Sequence, residues 1–185
     1  NFFETTKFKN INLPNKIHYS PFKNQSSDAP KNSFESPWKI TKKYDSIIIS
    51  IPKSREEALG QIALAYQKIK NGGLTFIEGS KRFGIDSIVK ALSKIISIEH
   101  LMSKAHGKIA IIKVTSTKEK DFAKWLEYAS PLQNNEGFFS MPGLFSYNRV
   151  DPASKFLASI FDNRINGQVI DLGAGWGYLS SKILK

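Results

Sequence analysis

Val169-Ile170-Asp171-Leu172-Gly173-Ala174-Gly175-Trp176-Gly177 runs from an apolar pair through an acid into a loop with glycine at every second position. A helix-compatible stretch, Tyr178 to Leu184, follows. The pattern predicts a strand–loop–helix unit whose backbone can press against a ligand, because glycine lacks a Cβ and tolerates positive φ. The first turn of the new helix also offers unbonded N–H groups to polar ligand atoms. The glycine spacing separates nucleotide folds. A dinucleotide fingerprint needs glycine three residues after the second one, and Tyr178 stands there. The loop also lacks a phosphate-loop lysine. The chain ends at Lys185, so the ligand site is expected to be opened here and not completed; the start at Asn1 is expected to lie inside a longer protein.

Outward from this motif, 185 residues allow one or two domains with a sizeable core, and 41% hydrophobic residues suit a globular chain. A net charge of +11 favours a polyanionic partner, nucleic acid ahead of an anionic membrane surface. A solubilising lysine-rich surface is the plainer account. The absence of cysteine excludes disulfides, thiolate metal sites and a cysteine nucleophile, and fits a reducing cytoplasm, the expected location. No apolar run approaches the roughly 20 residues of a membrane span, and no secretory signal is visible. His18, His100 and His106 have no metal-ligand spacing, so neither a metal nor a membrane partner is expected.

Residues 1 to about 43 have little periodicity and alternate lysines with aromatics: Phe2, Phe3, Lys7, Phe8, Lys9, Tyr19, Phe22 and Lys23. Such a stretch either stacks on single-stranded RNA or packs as a loop-rich edge. Tyr44 to Ile51 reads as a buried strand ended by Pro52. Ser54 opens a helix to about Lys70, with Glu57 completing a capping box. Ala58, Ile62, Ala65 and Ile69 give the helix one buried face, and Asn71-Gly72-Gly73 reads as its stop. Leu74 to Glu78 is a second strand, Gly79 to Gly84 a basic loop, and Asp86 to about Ile96 a second helix. Ile98 to Ser103 and Lys108 to Thr115 are strands around the turn Ala105-His106-Gly107. Lys118 to Ser130 is a helix with Phe122, Trp125 and Leu126 on its apolar side. Residues 131–137 are a loop and the candidate domain boundary. Asp151-Pro152 starts a further helix, with Phe156, Leu157, Ile160 and Phe161 inward.

Strand–helix–strand–helix–hairpin predicts an α/β sheet, mostly parallel, with one antiparallel strand added by the hairpin. This order resembles the second half of the class I methyltransferase sheet. Asp171, two residues before the first glycine, resembles the first motif of class I S-adenosylmethionine-dependent methyltransferases. Pro142-Gly143-Leu144-Phe145-Ser146 and Asp151-Pro152-Ala153-Ser154 extend the likeness to the catalytic domain of the small-subunit ribosomal RNA guanine-N2 methyltransferases. Ile51-Pro52-Lys53-Ser54, Gly72-Gly73, Gly79-Ser80-Lys81, Gly84-Ile85 and Ser103-Lys104-Ala105-His106-Gly107-Lys108 resemble that family's N-terminal domain. The resemblance covers about three quarters of the chain.

It implies two related Rossmann-like copies. Residues 1–130 would be a degenerate copy, and 131–185 a linker and the start of the catalytic one. S-adenosylmethionine would be held by Asp171, Gly173, Gly175, Gly177 and Phe145, with Asp151 bordering it. The implied partner is ribosomal RNA or the small ribosomal subunit. Where catalytic members carry Asn-Pro-Pro-aromatic, this chain reads Ile51-Pro52-Lys53-Ser54, so no catalysis is assigned to the first copy. The catalytic tetrad of the second is expected beyond Lys185, and the chain alone is expected to be inactive. Lys53, Lys81 and Arg82 are candidate RNA contacts; for Lys53, a solvated helix-entry lysine is the alternative. Trp176 either covers the cofactor or fills the helix–sheet interface. A non-catalytic RNA-binding module, or methylation of a protein or small molecule, are the competing functions.

Overall fold

Branched apolar residues give Tyr44–Ser50 its extended backbone, and it forms strand β1. The computed structural model describes residues 41–115, 119–161 and 165–184, and from Thr41 onward the chain forms one compact unit. The basic, aromatic stretch 1–43 falls, except for its last three residues, outside the described residues. After β1 come helix α1 (Arg55–Lys68), β2 (Ile69–Ser80), a 3-10 turn (Lys81–Phe83) and α2 (Ile85–Leu92). The hairpin β3 (His100–Lys104) and β4 (Gly107–Lys113) follows, then α3 (Glu119–Leu126), β5 (Leu132–Gln133), β6 (Phe139–Ser140), α4 (Pro152–Ser159) and α5 (Tyr178–Ile183).

The four-stranded sheet has the order β1-β2-β4-β3. β1 and β2 are parallel, and β4 runs antiparallel to both β2 and β3. Three strands therefore point one way and the hairpin's return strand the other, which is the expected mixed sheet. Ile49 pairs with Ile77, and Ile77 with Ala110. All three are buried on one pleat, where they join Ile85, Ile88 and Leu92 of α2 in one core.

Helix α1 departs from its predicted single buried face. Eight of its residues, Ala58 to Tyr66 with Gln61 the exception, are buried, because it is covered by α3 and the following turn as well as by the core. Tyr66 stacks on Phe122 with centroids 4.4 Å apart, and Trp125 meets Phe122 edge-on at 5.4 Å. The capping box is half formed. Ser54 Oγ accepts from Glu57 N at 3.3 Å, but the Glu57 side chain takes Gln61 Nε2 at 3.4 Å.

Asn71-Gly72-Gly73 is not a helix stop. The helix ends at Lys68, and these residues belong to β2, where the register jumps from Tyr44↔Ile69 to Ser46↔Leu74. The extra residues make a bulge, which explains the glycines: Gly72 sits at φ 80°, and a Cβ on Gly73 would meet Asp45 O at 2.9 Å. Helix α2 stops at Leu92, four residues early, with Ile95 and Ile96 still packed on the core through a turn. The predicted loop 131–137 is not a simple loop: it holds β5 and the turn of a small hairpin that β6 closes. Asn134 Oδ1 holds it by accepting from Glu136 N and Phe138 N at 3.0 and 3.1 Å.

Two expectations for the C-terminal part fail. Phe156 (71%), Leu157 and Ile160 are exposed and not inward. Val169-Ile170 forms no strand, and Ile170 is 80% exposed. Periodicity announces an apolar face, but burial needs a partner surface, and among the described residues no strand lies beside this pair. The helix start is as expected: Asp151 Oδ2 accepts from Ser154 N at 2.9 Å and from Ser154 Oγ at 3.2 Å, with Pro152 at the first helical position. Asp151→Ala is expected to lower stability by about 0.5–2 kcal/mol, read from the denaturant midpoint.

Candidate functional site

The three alternate glycines of the Asp171 loop adopt φ of 81°, 59° and 91° at Gly173, Gly175 and Gly177. This left-handed backbone penalises any Cβ. A Cβ at Gly173 or Gly177 would meet no atom within 4 Å. Conformation, not packing, therefore requires glycine, and the loop's surface is open to a ligand. Gly177 N donates to Ala174 O at 2.9 Å and Ser181 N to Gly177 O at 2.9 Å, which turns the loop directly into α5.

Asp171, Gly173, Gly175 and Phe145 line one pocket, together with Ser146, Asp151, Ser154, Trp176 and Tyr178. Gly177 shapes the loop behind it as the residue before α5. Ser180 Oγ donates to Asp171 Oδ2 at 2.7 Å and orients that carboxylate. Phe145 is 75% exposed and forms a pocket wall. Trp176 packs between Phe138 and Tyr178, with centroids 5.4 and 5.6 Å away, and its Nε1 donates to Ser146 O at 3.1 Å. It thus fixes the loop to the 142–146 segment while still lining the pocket. Sequence reasoning missed Ser146 and Ser180. A hydroxyl in the first turn after the glycine loop was the available signal for Ser180; a backbone carbonyl acceptor leaves none.

Lys53, Lys81 and Arg82 lie elsewhere, at the end of the four-stranded sheet where β1 and β2 finish. Lys53 Nζ stands 5.8 Å over the Phe83 ring. Lys81 N donates to His106 O at 2.9 Å, which ties the β3–β4 turn to the same end. Ala105 and His106 both have positive φ, as two-residue hairpin turns require. Lys53, Lys81, Arg82, Lys104 and His106 are exposed there. Lys108 is paired with Asp86 at 2.5 Å. The Lys108 hydrogen bond holds the Asp86 carboxyl below the usual carboxylate range, and the charges of Lys108 and Lys81 add to it. Lys108→Ala is expected to return Asp86 toward the ordinary value, read by an NMR titration of its carboxyl carbon.

Strand order, hairpin and acid–glycine loop together define an α/β protein with the Rossmann-like methyltransferase fold. The same fold is found in a solved 16S rRNA N2 methyltransferase (RsmC) of T. Thermophilus in complex with AdoMet and guanosine, at a TM-score of 0.53, 18% identity, and coverage of 73% of this chain and 37% of that one. Residues 6–128 match the methyltransferase small domain N-terminal family and 135–185 the methyltransferase small domain; the chain belongs to the methyltransferase small domain family. Curated relatives include the ribosomal RNA small subunit methyltransferase C of Buchnera aphidicola subsp. Acyrthosiphon pisum, 34% identical over 140 residues that cover 76% of this chain and 41% of that protein. The protein of that name from Colwellia psychrerythraea is 26% identical over 97% of this chain and 51% of its own. The chain thus spans about half or less of the length of these relatives.

Proposed function

We propose that the protein carrying this chain transfers the methyl group of S-adenosylmethionine to small-subunit ribosomal RNA in the cytoplasm, at N2 of a guanine. Residues 1–130 are its degenerate copy and 131–185 the linker and start of the catalytic copy. The single observation that carries this reading is the pocket that joins Asp171 to left-handed glycines and an exposed phenylalanine. These residues suit the cofactor chemically. A carboxylate accepts from its amino group, an open glycine backbone lets its polar portions approach, and Phe145 and Trp176 offer apolar walls. When bound, S-adenosylmethionine supplies the activated methyl group; the chain's own residues bind and orient it. The names of the relatives and the +11 charge support ribosomal RNA as acceptor.

In the degenerate copy, Ile51-Pro52-Lys53-Ser54 follows β1 and offers neither amide nor aromatic ring to hold a base. Lys53, Lys81 and Arg82 contact RNA phosphates instead, at an end of the sheet that projects several exposed cations. That basic end also favours a second reading, RNA binding without catalysis. Incubating full-length protein with methyl-labelled S-adenosylmethionine and small ribosomal subunits decides between them. Label on guanine N2 of the RNA is expected. Salt-sensitive RNA binding without transfer supports the binding module, and label in protein or small molecules overturns the acceptor.

A further inference from the structure

The Glu57 side chain leaves its capping box for a place in the other half of the chain. Gly143 adopts φ 102°, and a Cβ built on it would collide with Glu57 Oε2. The carboxylate therefore lies against the Gly143 backbone. Pro142, next to it, is fully buried. Tyr147, four residues on, meets the same surface: burial pushes its hydroxyl pKa up, with Glu56 and Tyr128 adding to the shift. Burial also raises the Glu57 pKa, because the charged carboxylate loses hydration where it lies against this turn.

The segment so seated carries the pocket. Leu144 N donates to Met141 O at 3.2 Å, and Ser146 O accepts from Arg149 N at 3.3 Å as well as from Trp176 Nε1 at 3.1 Å. Ser146 itself has φ 51°, a conformation that a non-glycine residue keeps only where its surroundings hold it. Phe145 projects from this turn into the pocket that Asp171 lines.

We propose that Glu57, on the first helix of the degenerate copy, is a positioning residue for the cofactor pocket: it seats the Pro142–Ser146 turn, which in turn fixes Phe145 and the Trp176 indole. The first copy thus acts on the second through the Glu57 side chain, without touching the ligand. The proposal rests on reading the pocket as the S-adenosylmethionine site.

The test uses full-length protein. Glu57→Ala is expected to shift the Trp176 indole N–H resonance, assigned with Trp176→Phe, in the absence of cofactor. It is also expected to raise the Kd for S-adenosylmethionine by about two- to thirtyfold, the range for residues that modulate a site they do not contact. Glu57→Gln, which keeps the shape, is expected to restore both. A loss of stability alone leaves a native indole resonance where it was. If the resonance moves while wild-type protein binds no S-adenosylmethionine, the positioning stands and the pocket reading falls. If wild-type protein binds and neither resonance nor Kd responds to Glu57→Ala, the positioning is overturned.

Discussion

Gly60→Val is expected to destabilise the fold by about 3 kcal/mol or more, at the upper end of the range for overpacked cores. Gly60 sits within α1, where alanine would ordinarily be favoured over glycine by about 1 kcal/mol. Here a Cβ would lie 2.7 Å from both C and O of Tyr128 and 2.9 Å from Ala129 N. These are backbone atoms, so no rotamer change relieves the contact; α1 or the 127–129 turn must move. Gly60→Ala is expected to lower stability too, with the clash exceeding the gain in helix propensity. Denaturant midpoints measure both. An alanine variant as stable as the parent would show that α1 does not approach residues 128–129 this closely.

Asp171→Ala is expected to raise the Kd for S-adenosylmethionine about ten- to hundredfold in full-length protein. A hydrogen bond to a charged group contributes about 1.5–3 kcal/mol, and each 1.4 kcal/mol is tenfold in affinity. Ser180→Ala, which removes the 2.7 Å bond that orients the carboxylate, is expected to cost less, about two- to tenfold, as for a neutral hydrogen bond of 0.5–1.5 kcal/mol. Isothermal titration measures both. An unchanged Kd in Asp171→Ala would remove this carboxylate from the site, and the reverse ranking would assign Ser180 the direct contact.

Much of the N-terminal sheet was legible because its signals are local. The isoleucines of β1, the capping serine at 54, and the turn at 105–106 each act within a few residues, and the predicted elements formed around them. The mistakes fell where one local signal had two tertiary uses. Asn71-Gly72-Gly73 suits a helix end and a strand bulge equally, since both need a left-handed or crowded backbone; pairing with β1 selected the bulge. Phe156 and Ile160 carry an apolar helical spacing, yet no described surface covers them. The site divided in the same way. The Asp171 loop was recognisable from spacing, whereas Ser146 contributes a carbonyl that any residue possesses.

By itself the sequence determined most elements of the four-stranded sheet, its mixed strand directions, the glycine loop and the basic character of the chain. All of these follow from backbone preference, hydrophobic period and charge, which are properties of neighbours along the chain. Only the tertiary structure decided that α1 is buried nearly all round, that Trp176 hangs from Ser146, and that Glu57 rests on Gly143. Those contacts join residues far apart in sequence. They are selected by which surfaces meet once the core closes, and spacing carries no record of that.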